Sequence, residues 1–570
     1  MTTNIDGIEV LRNAIKACDL LAHDQVIGVD LETTGLSPWK DNIALIQLYG
    51  EDTSTLAVVQ VFDNIVPQPI VDLLESGKTF VVHNGVGFDL LFLHMAGVRW
   101  RRSIWYDSLV AESILASTNR RDVSKSLRES LRRRLGKTIN KDIDHGQWSN
   151  PVLTDRQLQY AAQDVISLPA LRRVQLQKAK ETRQLEAFDM EMALVPIVAQ
   201  MTINGLPCVE SRVVQYVEDQ RKASLESAAF LKDKLGDINL NSPIQLRKKL
   251  NEIGIKVDST AVATLAPIAR FGGPTGELIN HILNWRHCAQ RIKMYRPVWR
   301  NKYIVDSYVH PHFWQVGTST TRFSCSNPNL QQIPKDGRHI IGGLPGLSVV
   351  SVDYSQIEVR MAAFLAKDKI LIERLESEDT HRAIAAEIFN IDEKKVTAKQ
   401  RKLAKAATFT LLFGGGAQTI YNYAEMSGGS MTQEQATNLV YRFFNTFTGL
   451  RMMRQRATKL AKKSGPVFIR LPNSCRRILV GYNKKSTTIL NTMIQGAAAV
   501  GIKYGMLEVG RQGLDKYLGG QVHDELLSTV PTNEAKEYGK ELQTAMIVGM
   551  HKVLPTKVIA EIKIGNVWQA

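Results

Sequence analysis

The sequence predicts a multidomain α/β protein, and three observations carry that expectation. At 570 residues the chain exceeds what one hydrophobic core organises, so three or four domains are expected. Short apolar, β-branched runs lie near both ends, at residues 26–32 and 79–85 and again at 347–352 and 520–522, and read as buried strands. Between them, from about Glu191 to Tyr295, apolar residues recur at i, i+3 and i+4 and read as helices, punctuated at Asn204-Gly205-Leu206-Pro207.

The first strand, Val26-Ile27-Gly28-Val29-Asp30-Leu31-Glu32, ends in two acids that share a face, because side chains alternate along a strand. The second, Thr79 to Gly85, leads into a helix containing Phe88 and Asp89. Tyr160 and Asp164 are four residues apart on a helical stretch and therefore share a face. Converging carboxylates repel one another unless cations sit among them, so Asp30, Glu32, Asp89 and Asp164 together imply two metals. Taken singly, each acid is as well explained as a helix cap or a solvated surface residue.

As a set, the segments resemble the three motifs of DEDD-type 3′→5′ exonucleases, in the version with tyrosine in the third motif. The resemblance implies an RNase H-like exonuclease domain over 1–188, a mixed sheet with helices. Asp30, Glu32, Asp89 and Asp164 would be its catalytic metal ligands. Tyr160 would position the attacking water, and single-stranded 3′ ends would be the substrate. The Arg-rich stretch Ser124 to Lys137 reads as an amphipathic helix with solvated cations, phosphate contact being the second reading.

Bulk properties narrow the partners. A formal charge of +16 favours a polyanion, nucleic acid first and an anionic membrane surface second. Five scattered cysteines without a C-x-x-C pair argue against a zinc site or disulfide framework. The N-terminus lacks a signal-peptide pattern, and no apolar run is long enough to span a bilayer, so no membrane role and a cytoplasmic location are expected. In the middle, Arg286, Arg291, Lys293 and Arg296 alternate with Trp285, Tyr295 and Trp299, a composition suited to non-specific duplex grip, although about half such cations are ordinary surface.

The second half adds a further pair of carboxylates, Asp353 after the run Leu347–Val352 and Asp524 after Gly520–Val522. Strand-borne aspartates of this kind hold two divalent cations for phosphoryl transfer. Between them, Arg401, Lys405, Phe409 and Phe413 recur every four residues as one helical stripe. Arg401 and Phe409 lie about 12 Å apart at 1.5 Å per residue, comparable with a triphosphate plus sugar.

These segments, with Leu194-Val195-Pro196 to Pro207, Asn241-Ser242-Pro243, Thr318 to Pro334 and Lys563 to Trp568, resemble family A DNA polymerases of the bacterial DNA polymerase I type. The resemblance implies a right-hand polymerase with a helical thumb (189–300), an antiparallel-sheet palm (301–365 and 479–570) and helical fingers (366–478). It implies that Asp353, the Tyr354 carbonyl and Asp524 bind metal, with Glu525 supporting them in catalysis. Arg401, Lys405, His381, Gln356, Glu358, Phe409 and Phe413 would bind the nucleotide, Glu358 as the gate against ribose. Arg322, Asn491, Gln495 and His523 would meet primer–template DNA. Thr408, Thr410, Phe413 and Thr487 depart from the family pattern, which bears on fidelity and DNA contact.

The expected activity is therefore DNA-directed synthesis from a primer 3′-hydroxyl and dNTPs, with proofreading, two Mg²⁺ per site and Mn²⁺ as a substitute. A 5′ nuclease domain is not expected, and the lean architecture suggests a phage-type replicative enzyme. A monomer is expected, with a helicase, primase or single-strand-binding protein as candidate partners. The alternative is a 3′→5′ exonuclease whose degenerate polymerase half only binds DNA.

Overall fold

The computed structural model describes residues 4–569 apart from 6–7, 117–122, 140–147, 149, 151, 271 and 427–430. The first third is built on a seven-stranded mixed sheet: β1 (Asn4–Ile5), β2 (Ile8–Leu11), β3 (Val26–Thr33), β4 (Ile43–Gly50), β5 (Thr55–Gln60), β6 (Thr79–Val82) and β7 (Ile104–Asp107), in the order β1-β2-β5-β4-β3-β6-β7. The central strand β3 runs antiparallel to β4 and parallel to β6. Ile27, Val29 and Leu31 on one face of β3 are buried, which leaves the alternate positions, Asp30 and Glu32, for a site.

A second, four-stranded antiparallel sheet is assembled from distant segments: β8 (Leu347–Tyr354), β9 (Leu518–Val522), β10 (Glu525–Pro531) and β11 (Ala560–Gly565), in the order β9-β10-β8-β11. The helices Ser486–Arg511 and Ala535–His551 pack on each other, and the second lies against the sheet. Their crossing is close because two glycines meet there: a Cβ on Gly549 would lie 2.4 Å from the Gly505 Cα.

Two hydrophobic cores result. One runs without a break from the first sheet through the second. The other is small and local, formed by Leu231, Leu246, Leu265, Ile279 and neighbours of the helices Glu210–Leu235 and Gly273–Met294. The long helix Leu185–Asn204 joins the two sheets, and its buried Glu191 pairs with Lys503, which is itself fully buried. Among the described residues no helix is long and apolar enough to cross a membrane, and all five cysteines are free and buried.

Several cations read from sequence as solvated are structural. Arg133 and Arg134 bind Glu112, a carboxylate with no solvent exposure, at 2.6 and 2.9 Å. A buried charge is stable only with such partners. Arg286 is bonded to Thr260, and Arg291 pairs with Asp336 at 2.8 Å, while Lys293 and Arg296 stay exposed.

Candidate active sites

The first site gathers on β3. Asp30 and Glu32 alternate with buried Val29 and Leu31 and so leave the strand on one side. Asp89 is the first residue of the helix Asp89–Met95 that follows β6, and it is buried. The helix Asp155–Ile166 begins at a capping box of Thr154 and Gln157 and packs across β3, β4 and β5. It thereby brings in Tyr160 and Asp164, both buried.

Three of the acids bear on Tyr160. Burial, followed by the charges of Asp164, Glu32 and Asp30, raises the Tyr160 phenol above its usual range. Asp89 is raised to about 7, first by burial and also by Asp107, while the Leu31 amide opposes part of the rise. Sequence reasoning missed Gln47, which sits opposite Asp30 in the β3–β4 register and is fully buried with neither side-chain polar atom hydrogen-bonded. An apolar run, Ile43 to Tyr49, surrounds it, so only its incongruity could have flagged it.

The second site gathers where β8 and the β9–β10 hairpin end. Asp353 lies near the end of β8, open to solvent, directly opposite Glu525 on β10 and Glu561 on β11. Asp524 is not strand-borne as expected. It occupies the two-residue turn between β9 and β10, where His523 takes the left-handed conformation (φ +57°) that tight hairpins demand. The Tyr354 N–H donates to the Asp524 carbonyl at 3.2 Å, tying the two segments together through their backbones.

Although Asp353 keeps solvent access, desolvation by the protein around it, then Glu525 and Glu561, raises it to about 6. Burial also raises Asp524 to about 6, opposed by Arg322 and reinforced by Glu358 and Asp353. Arg322 bonds Glu358 and lies 3.6 Å from Asp524 Oδ1, so a residue expected at the DNA sits among the acids. Glu525 is held from behind: Trp568 Nε1 donates to it at 2.9 Å, and Arg338, stacked 4.1 Å over the Trp568 ring, approaches at 3.3 Å.

A third group lies on the helix Ala398–Leu412, which starts at a capping box of Thr397 and Gln400 and packs on the helices Thr380–Phe389 and Ile357–Ala366. Lys405 is exposed and Arg401, Phe409 and Phe413 are half-buried, as one stripe should be. Arg401 Nε binds Asp379 at 2.7 Å, a pairing across 22 residues that local spacing does not reveal. His381 is buried 6.4 Å from the Phe409 ring, and burial, Lys405 and Arg401 hold its pKa down at about 4. Thr408, at the edge of the stripe, is fully buried and donates to the Ala404 carbonyl at 2.8 Å.

Gln356 adopts a left-handed conformation (φ +53°) at the start of the helix Ile357–Ala366, which carries Glu358. Asn491 and Gln495 share a face of the Ser486–Arg511 helix, and Asn491 Oδ1 is buried without a partner. That helix meets the end of the nucleotide stripe at Gly414 (φ +85°), where a Cβ would lie 2.6 Å from Thr487 Cγ2.

Both acid sets fit a hard divalent cation. Their donors are all oxygen, and Asp89 Oδ1 and Asp524 Oδ1 are buried without hydrogen-bond partners. Among the described residues no three His, Cys, Asp or Glu side chains stand close enough together to hold a metal ion, so neither acid set is a ready-made metal site.

Comparison with known proteins decides the affiliation. Residues 212–570 match the model for DNA polymerase family A, and residues 4–178 match a 3′-5′ exonuclease model. The chain belongs to DNA polymerase family A. It is a family A polymerase with an attached 3′-5′ exonuclease domain, of mixed α/β fold. DNA polymerase I of Aquifex aeolicus is 28% identical over 95% of both chains. DNA polymerase I of Geobacillus stearothermophilus is 30% identical over 65% of this chain and 44% of its own length. The polymerase thus spans nearly all of one relative and less than half of the other. The solved polymerase domain of Pol1 from M. smegmatis, in complex with DNA primer-template and dNTP, superposes with a TM-score of 0.81 at 21% identity, covering 98% of this chain and 99% of that one. These relatives are bacterial, so the phage origin expected from the lean architecture gains no support from them.

Proposed function

We propose that this family A polymerase extends a primer 3′-hydroxyl on a DNA template with dNTPs at Asp353 and Asp524, and hydrolyses mispaired 3′ ends at Asp30, Glu32, Asp89 and Asp164. The carrying observation is the backbone bond from Tyr354 to Asp524, which fixes two acids from opposite ends of the second half beside each other. The alternative, a nuclease with a degenerate polymerase half, is disfavoured because Asp353, Asp524, Arg401, Lys405 and His381 are all retained on a coherent fold.

Asp353, Asp524 and the Tyr354 carbonyl would hold Mg²⁺ in one site, and Asp30, Glu32, Asp89 and Asp164 in the other, with Mn²⁺ as a substitute. When bound, such ions supply Lewis-acid polarisation of phosphate and a more acidic nucleophilic oxygen. Arg401 and Lys405 neutralise the triphosphate, and Phe409 packs on sugar and base. His381 is neutral when the site is empty, and an arriving phosphate anion favours its protonation. Glu358, held by Arg322, stands where a ribose hydroxyl would project. Tyr160 orients the hydrolytic water at the other site. In this reading 189–300 is the thumb, 366–478 the fingers and the flanking segments the palm, and the protein works on DNA in the cytoplasm.

Gel-resolved primer extension with Mg²⁺, with and without dNTPs, tests this reading. Wild type should lengthen the primer with dNTPs and shorten it without them, and Asp353→Ala should lose lengthening alone. Shortening in every lane with no extension would leave the nuclease as the sole function.

A further inference from the structure

Beside the start of the helix Ala417–Met426 lies a groove of about 780 Å³ between the helices Gln433–Thr446 and Thr448–Lys462. Arg451, Arg454, Lys459 and Lys462 line it, and no Asp or Glu is found among its described lining residues. The Thr448–Lys462 helix contains no acid at all. At 100° per residue its four lining cations fall within one stripe of roughly 140°. Two aromatics complete the groove: Tyr441, which is 68% exposed, and Phe444, whose ring carries the Arg454 guanidinium at 5.1 Å.

A basic stripe beside accessible aromatic faces suits unpaired nucleic acid, because phosphates take the charge while bases stack. Duplex would present no free base faces to Tyr441. A lipid surface needs an apolar face projecting outward, whereas here the apolar residues floor a concavity. Position selects the strand. Arg454 donates to the Gly415 carbonyl at 2.8 Å and to Gly414 at 3.4 Å, the turn immediately after Phe413. The groove therefore opens where the nucleotide-facing stripe ends.

We infer that this groove holds the single-stranded template ahead of the copying site. The inference rests on the polymerase reading above, because it needs a template strand arriving near Phe413. Arg454 then has two tasks, anchoring the turn and lining the strand's path, while Arg451, which donates to Asn445 Oδ1 at 3.2 Å, joins Lys459, Lys462 and Tyr441 in facing the strand.

The test uses the full-length protein in EDTA, which stops hydrolysis, and fluorescence anisotropy on two primed templates. One carries a single unpaired template nucleotide, the other about 12. The triple variant Arg451→Glu, Lys459→Glu, Lys462→Glu should bind the long overhang about tenfold more weakly, and its salt slope should fall by about 2, as expected for three single-strand phosphate contacts. Tyr441→Ala should weaken the same complex at least about fivefold through lost stacking. Affinity for the short overhang, and single-nucleotide incorporation on it with Mg²⁺, should match wild type in both variants, which also shows that they fold. Equal losses on both substrates, or no loss on the long overhang, would overturn the inference. So would a loss seen only with a displaced 5′ flap, or only with anionic vesicles. A wild-type protein that never extends a primer would instead defeat the polymerase reading itself.

Discussion

The two acid sites solve the same problem with different surroundings. In the N-terminal site Asp89 is buried, raised to about 7, and repelled by another acid, Asp107, whose carboxylate is occupied by backbone amides of Asn84, Val86, Leu109 and Val110. In the C-terminal site the acids are interleaved with arginines: Arg322 contacts Glu358 and approaches Asp524, and Arg338 contacts Glu525. Internal cations keep Asp353 and Asp524 nearer to about 6. A carboxylate set with built-in counter-charge should retain its ionised form at lower pH than one that depends on burial and amides alone.

The sharpest way to break this comparison is to remove one acid from each site. Asp353→Asn or Asp524→Asn should lower extension by at least about a thousandfold with 3′ hydrolysis intact, and Asp30→Asn should do the reverse, read on the same gels. Loss of both activities from either change would mean that the sites are not independent.

Next comes stability of the metal-free protein. Asp89 titrates higher folded (about 7) than its ordinary value of 3.8, so the folded state holds the extra proton between those limits. Stability is then fully present below about pH 4 and lost as pH rises through about 7, by an amount on the order of a few kcal/mol. Thermal melts in chelator should show this decline for wild type and a flatter profile for Asp89→Asn. Added Mg²⁺ should restore wild type at pH 8 and do less at pH 6, because protons compete with the cation.

A smaller effect sharpens the role of the internal cation. Removing Arg322 takes away the charge that opposes the rise of Asp524, so Arg322→Ala should move the acid limb of the extension profile upward by about one pH unit. The hydrolysis profile should not move. Smaller again, Asp379→Asn releases Arg401 from its carboxylate, and the dNTP KM should change by about three- to tenfold with little change in kcat. The smallest effect belongs to Thr408→Val, which removes only a hydroxyl back-bonded inside a helix and should leave nucleotide selectivity within about twofold.

That last case shows where reading the sequence stops. Strand alternation sufficed for Asp30 and Glu32, and four-residue spacing for the Arg401 to Phe413 stripe, because both are periodicities of one element. Thr408 stands out in sequence only as a departure from the family motif, and nothing local shows that its side chain is enclosed in the core. Asp524 was read as strand-borne because Gly520–Val522 is apolar, whereas the hairpin turn begins one residue later. Pairings such as Arg134 with Glu112, Arg401 with Asp379 and Glu525 with Trp568 join separate elements, and no local pattern encodes them.

The buried bridge between Glu191 and Lys503 bears on where the chain tolerates being cut. The first family match ends at 178 and the second begins at 212, which invites a boundary between them. Trimming there would strip away Glu191, the carboxylate that pairs with the buried Lys503 ammonium. A nuclease-free fragment should therefore begin upstream of Leu185, keeping the whole Leu185–Asn204 helix as the lid of the remaining half.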